Sequence, residues 1–188
     1  MADIALQMYT MRNCMADEKQ LFETLRRVRE IGYRSVQITR PAYVTIEALK
    51  RMLDEVGLSA DSALGHCMKL DEEYDAILHE AEVLGTRVVR LDGIPMELAQ
   101  TAEGYRTFAR ILEKGGKAFR AAGYDMYYHF HAFEWTNFGA ERGIDIETLA
   151  PSASQGYSFF GADQIAEGTD TSCFRTWLTI NEIEAVGR

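Results

Sequence analysis

"EKQLFETLRRVREIGYRSVQIT", residues 18–39, carries the pattern on which the fold turns. Leu21, Leu25, Val28 and Ile31 recur every three or four residues, the spacing that aligns side chains along one face of an α-helix. Gly32 follows the last of them as a stop, because glycine readily takes the left-handed conformation that ends many helices. "RSVQIT", residues 34–39, then reads as a short strand.

The same unit recurs on both sides. "IALQMYT" (4–10) is strand-like and precedes the helix just described. "TIEALKRMLDEVG" (45–57) repeats the helical stripe with Ile46, Leu49, Leu53 and Val56 and ends at Gly57. "LSADSAL" (58–64) precedes a helix ended by Gly85, and "TRVVRL" (86–91) precedes a long helix ended by Gly123. "YDMYYHF" (124–130) opens a fifth unit. Strict alternation of strand and helix predicts parallel strands joined by right-handed crossovers. An open doubly wound sheet and a closed (β/α)8 barrel both satisfy it. No glycine-rich phosphate loop follows any strand, which removes the usual reason to prefer the open sheet. Polar residues instead begin the loops after the strands: Gln7, Tyr9 and Arg12; Gln37 and Arg40; His66; Asp92; His129, His131 and Glu134. In a barrel those ends converge on one mouth, where catalytic groups sit.

Composition bounds the function. With 188 residues, 47% hydrophobic and 26% charged, the chain suits one soluble domain, residues 1–188. A net charge of −9 argues against a nucleic-acid partner held by its phosphates. Three scattered cysteines, Cys14, Cys67 and Cys173, point to a reducing compartment. No basic leader or long apolar run is read, so the expectation is a cytoplasmic protein with no membrane partner.

"IALQMYTMRN", "EIGYRSVQI", "LDEVGLSADSALGH", the A-x-x-L-G-T-R before the fourth strand and "AGYDMYYHFHAFEW" together resemble the sugar phosphate isomerase/epimerase family, of the xylose-isomerase-like TIM barrels. The resemblance runs from Ile4 to about Ile146. It implies a (β/α)8 barrel, a small sugar or sugar phosphate as partner, and a divalent metal (Mn, Mg, Co or Zn) assisting proton transfer. A sugar lyase or dehydratase of the same superfamily fits the same motifs. An endonuclease of the superfamily fits an acidic chain with four histidines least well.

Within that frame His129 and His131, two apart on a strand, project to one side, where imidazoles can bind a cation or a hydroxyl. Glu134 is the candidate catalytic acid/base and metal ligand. Two partly buried, hydrogen-bonded structural histidines are the plain alternative. Relatives often carry His-Asn-His-x-Phe-Glu here, and Phe130 replaces the Asn. His66 faces either a substrate or the helix expected to begin near Asp71, with Gly65 permitting close approach beside it. Gln7, Tyr9 and Arg12 are substrate-binding candidates for sugar hydroxyls or a phosphate, with core packing the alternative for Tyr9. Gln37 stands where many relatives carry Glu. Asp71, Glu72, Glu73 and Asp75 are read as first-turn acids opposing a helix dipole. Gly115 and Gly116 mark a bend or close packing in the long helix.

Beyond about residue 146 the resemblance stops. Residues 147–188 form an atypical tail, and the sixth to eighth strands with their Asp, His and Glu ligands are not found there. Residues 138–188 contain no lysine, and only "GYSFFG" and "FRTWLTI" look strand-like. The expectation is an incomplete barrel of about five βα units whose tail arises from a shifted frame, a truncation or a replacement. "YSFFG" is then expected to pair beside the fifth strand, or a second copy to complete the barrel as a homo-oligomer. A non-catalytic carbohydrate-binding or assembly fragment is the competing expectation.

Overall fold

The computed structural model describes residues 5–129 and, beyond them, residues 137–138, 141–142 and 174–177. In chain order the elements are β1 (Ala5–Gln7), a 3₁₀ segment (Met8–Cys14), α1 (Glu18–Ile31), β2 (Ser35–Gln37), α2 (Ile46–Val56), β3 (Ser59–Ala60) and β4 (Ala63–Gly65). A second 3₁₀ turn (Cys67–Lys69), α3 (Tyr74–Leu84), β5 (Val88–Asp92), α4 (Ala102–Ala121) and β6 (Asp125–His129) follow. The last are β7 (Asn137–Phe138), β8 (Glu141–Arg142) and β9 (Phe174–Trp177). Up to β6 the expected alternation is present apart from a split third strand; β1–β2, β2–β3 and β6–β9 pair in parallel and β7–β8 antiparallel, so the class is α/β.

Local chemistry sets the helix bounds. Asp17 caps α1 by accepting from Gln20 N at 2.8 Å, and Thr45 and Thr101 cap α2 and α4 by accepting from Ala48 N and Gly104 N. Gly32 at φ 119° and Gly57 at φ 76° end α1 and α2 in the left-handed region, where a Cβ would be strained.

The chain forms two compact units, one from Met1–Leu64 and Asp75–Val88 and the other from Gly65–Tyr74 and Val89–Arg188. In the first, β1, β2 and β3 form a parallel sheet in that order, with Leu6 opposite Val36 and Val36 opposite Ala60. Leu21, Leu25, Leu49 and Val36 have no exposed surface, and α1 packs on α2. Each such leucine contributes about 2 kcal/mol by leaving water. Ile31, the fourth member of the expected α1 stripe, is instead 75% exposed. Its neighbour in the pattern, Thr24, is buried and donates its hydroxyl to Cys14 O at 2.7 Å.

The third expected strand is broken in two. Ser59–Ala60 pairs with β2, whereas β4 belongs to a second sheet of order β4-β5-β6-β9. The break falls at Asp61–Ser62, where the Asp61 carboxylate accepts from Gln37 Nε2 and Ser62 Oγ.

In the second unit, the rings of Phe108 on α4 and Tyr128 on β6 meet edge to face at 5.1 Å, and Tyr74 tilts against Phe119 at 4.9 Å. α4 runs unbroken through Gly115, so this glycine serves close packing and not a bend: a Cβ there would lie 2.6 Å from Leu70 Cδ1. Gly65 likewise accommodates side chains, since its Cβ would meet Leu91 Cδ2 at 2.8 Å. The strand beside β6 is Phe174–Trp177, in parallel register with Met126 opposite Phe174 and His129 opposite Trp177. That place was expected for "YSFFG", residues 157–161, which lie outside the described residues. α3 starts at Tyr74, later than expected, so Asp71, Glu72 and Glu73 precede it and only Asp75 lies in its first turn. Glu73 N donates to Lys69 O at 2.8 Å, and Lys114 pairs with Asp71, which commits this stretch to a turn.

Candidate functional site

The parallel register brings polar side chains together at the C-terminal ends of the first three strands. Gln7 is the last residue of β1 and stands opposite Gln37, the last of β2. Asp61 follows β3 and keeps the ladder going for one more bond, its N donating to Val36 O at 3.0 Å. One row across three strands thus reads Gln7, Gln37, Asp61.

These side chains are joined. Gln7 Nε2 donates to Gln37 Oε1 at 3.3 Å, and Gln37 Nε2 donates to Asp61 Oδ2 at 3.3 Å. Ser62 Oγ donates to Asp61 Oδ1 at 2.6 Å, and Thr86 Oγ1 donates to the Asp61 carbonyl at 2.8 Å. Gln37 is buried, whereas Gln7 and Asp61 are half-buried. The buried amide is satisfied at both ends, as burial demands. Asp61 was not foreseen as a site residue. The available signal was an acid inside a strand-like run, where Asp is disfavoured unless its side chain has work to do.

Tyr9 and Arg12 lie one turn beyond, in the 3₁₀ segment. Thr10 Oγ1 donates to Gln7 O at 2.7 Å and closes the strand end. The Arg12 guanidinium sits 4.5 Å from the Tyr9 ring centroid and donates to Tyr9 O at 3.0 Å. Tyr9 is 69% exposed and is therefore not core filler.

Arg40 does not join the Gln7 row. It donates to Glu80 Oε1 at 2.8 Å and to Val44 O at 3.2 Å, in the wall of a cleft of about 450 Å³. Tyr43, Glu47 and His79 also line the cleft, with His79 Nε2 3.6 Å from Glu47. Its ionisable groups face opposite partners. Glu47 is held below the usual carboxylate range, first by its own backbone N–H and then by the Thr45 hydroxyl, with His79 adding to this. Burial, with Asp17 nearby, pushes the Tyr43 phenol up, and Tyr43 donates to Met15 O at 2.6 Å.

In the other unit, His66 is exposed and its backbone carbonyl, not its ring, starts the following 3₁₀ turn by accepting from Lys69 N at 2.9 Å. Cys67 beside it is buried, its Sγ directed at Gly93 O. His129 ends β6. His131 and Glu134 lie outside the described residues. Among the described residues no three His, Cys, Asp or Glu side chains come together as metal ligands. No helix of the described residues is long and apolar enough to cross a membrane.

No protein-family model and no curated protein matches the sequence. Solved structures do match in fold. A sugar phosphate isomerase/epimerase from Parabacteroides distasonis is similar at 16% identity and TM-score 0.69, over 100% of this chain and 69% of that one. A xylose isomerase domain protein from Alicyclobacillus acidocaldarius matches at 15% identity and TM-score 0.56, over 89% of this chain and 61% of that one. The IOLI protein, which has a bound zinc atom, matches at 11% identity and TM-score 0.52, over 69% of this chain and 51% of that one. The chain thus spans between half and seven-tenths of these structures and shares their fold over that length.

Proposed function

We propose that the chain binds a sugar or sugar derivative at the C-terminal ends of its strands and belongs functionally with the sugar isomerases and epimerases. The observation that carries this reading is the Gln7–Gln37–Asp61 row. It presents two oriented amides, backed by the Asp61 carboxylate, at the strand ends where such folds place their ligands. Fold alone does not fix chemistry, so the assignment rests on this row.

The chemistry proposed is proton transfer at the carbon next to a sugar carbonyl, with Glu134 as acid/base and His129 and His131 binding the sugar. A divalent cation held by Glu134 would polarise the carbonyl oxygen. Self-association of the chain completes the reading, and light scattering of the purified protein measures it.

Incubating the protein with aldoses and ketoses in D2O tests the function. Deuterium appearing next to the carbonyl, and lost in Glu134→Gln, supports an isomerase or epimerase. Loss of water from the sugar marks a lyase or dehydratase instead. Saturation transfer to a sugar without any exchange marks a non-catalytic binder. Metal content after saturation with Mn, Mg, Co or Zn tests the cation, which Glu134→Ala is expected to abolish.

A further inference from the structure

We infer that Asp61 is a positioning residue that, acting through Gln37, fixes the Gln7 amide with its carbonyl oxygen uncommitted, and so makes the end of β1 a subsite for a hydroxyl group and not for an anion. This rests on the reading of the strand ends as sugar-binding. It separates two ligand chemistries, hydroxyl and phosphate, that the sequence left open at Gln7.

A glutamine amide has a donor end and an acceptor end, and a free one can turn either way. Here the choice is forced from Asp61 outward. A carboxylate only accepts, so Gln37 must direct Nε2 at Asp61 Oδ2, as it does at 3.3 Å. Gln37 Oε1 is then an acceptor on the Gln7 side, and Gln7 must meet it with Nε2, again at 3.3 Å. Turning Gln7 over would set two carbonyl oxygens against each other and leave a buried acceptor unsatisfied. The anchor itself is held, because Ser62 Oγ donates to Asp61 Oδ1 and Thr86 Oγ1 to the Asp61 carbonyl. Among the described residues no donor reaches Gln7 Oε1, and Gln7 keeps part of its surface exposed. A hydroxyl can donate to that oxygen. A carboxylate brings only acceptors, a phosphate brings mostly acceptors, and either anion meets the charge of Asp61 behind the amides.

The test is a ¹⁵N–¹H spectrum of the full chain that follows the side-chain NH2 pairs of Gln7 and Gln37. D-xylose and myo-inositol, two neutral polyols, are expected to shift the Gln7 pair, and inorganic phosphate is expected not to. In Asp61→Ala, which removes the acceptor, both pairs move and polyol binding weakens about three- to tenfold, the worth of one neutral hydrogen bond. Gln7→Met, which lacks the acceptor, weakens binding to the same degree. The double variant is no weaker than Gln7→Met alone, a coupling that a purely structural Asp61 would not produce. If Asp61→Ala leaves the Gln7 pair in place, or phosphate competes with the polyols there, the inference is overturned. Polyols that bind but shift only other residues overturn the subsite and spare the sugar reading. If no polyol shifts any residue, both fall, and this wild-type titration needs no variant to fold.

Discussion

A Cβ placed on Gly104 would lie 1.9 Å from the carbonyl oxygen of Leu98. The obstacle is backbone, which cannot rotate away. At Gly115 the obstacle is Leu70 Cδ1 at 2.6 Å, the far end of a side chain that can turn. Both glycines lie in α4, where alanine itself is favoured by about 1 kcal/mol. Gly104→Ala is therefore expected to cost about 3 kcal/mol or more, and Gly115→Ala about 1 kcal/mol net of the helix gain. Urea unfolding of the two variants decides it; equal losses would show that the Leu98 contact is not a constraint.

Thr86 ties the chain after α3 to the Asp61 corner. Its hydroxyl donates to Asp61 O at 2.8 Å and accepts from Val88 N at 3.2 Å, and the residue is buried. Valine has the same shape without the hydroxyl. Thr86→Val should cost about 1–3 kcal/mol, while Thr86→Ser, which keeps the hydroxyl, should cost less, about 1 kcal/mol at most. A Thr86→Val as stable as the parent in chemical denaturation would mean that the corner does not depend on this residue.

At the start of α2, the depressed Glu47 carboxyl gives a pH dependence of definite sign. A group whose folded pKa lies below its unfolded one stabilises above the ordinary carboxylate range, and that stability is lost as pH falls through the folded value. Glu47→Gln should flatten the acid limb of stability between about pH 3 and 5, falling slightly below the parent at neutral pH and converging with it in acid. Thr45→Ala removes the cap and one of Glu47's hydrogen bonds together. It should cost about 1 kcal/mol at neutral pH. Thermal melts across that pH range measure both, and parallel acid limbs for parent and Glu47→Gln would refute the assignment.

The legible parts of this fold are the local ones. Helical stripes and the glycine stops at Gly32, Gly57, Gly85 and Gly123 follow from residues three or four apart, and all four glycines have positive φ. Ile31 kept the period of α1 but lies at its last position and is exposed. "LSADSAL" reads as one strand because strand propensity averages over its small residues. The break at Asp61 arises from Gln37, Ser62 and Thr86, and two of these are more than twenty residues away. The choice of Phe174–Trp177 as partner for β6 is likewise a long-range pairing with no local signature. At the site, Gln7 could be read from its place after β1. That it faces Gln37 required the register, and that Asp61 bonds to Gln37 behind it required the folded structure.

The same row yields the sharpest test of its electrostatics. Gln37 is buried and bonded to Asp61, so a glutamate at this point would set a second carboxylate beside the first. Two carboxylates at that separation do not both ionise readily, so in Gln37→Glu one of them is expected to hold a proton. Its folded pKa then lies above its unfolded one. Stability is retained below the unfolded value of about 4.3 and lost as pH rises through the folded value. Relative to the parent, Gln37→Glu should match it near pH 4 and fall about 1–3 kcal/mol short at pH 7. Adding Asp61→Asn removes the second charge and should restore most of that loss. Urea titrations at the two pH values measure this, and a deficit that does not change with pH would mean that the introduced carboxylate turns away from Asp61 into solvent.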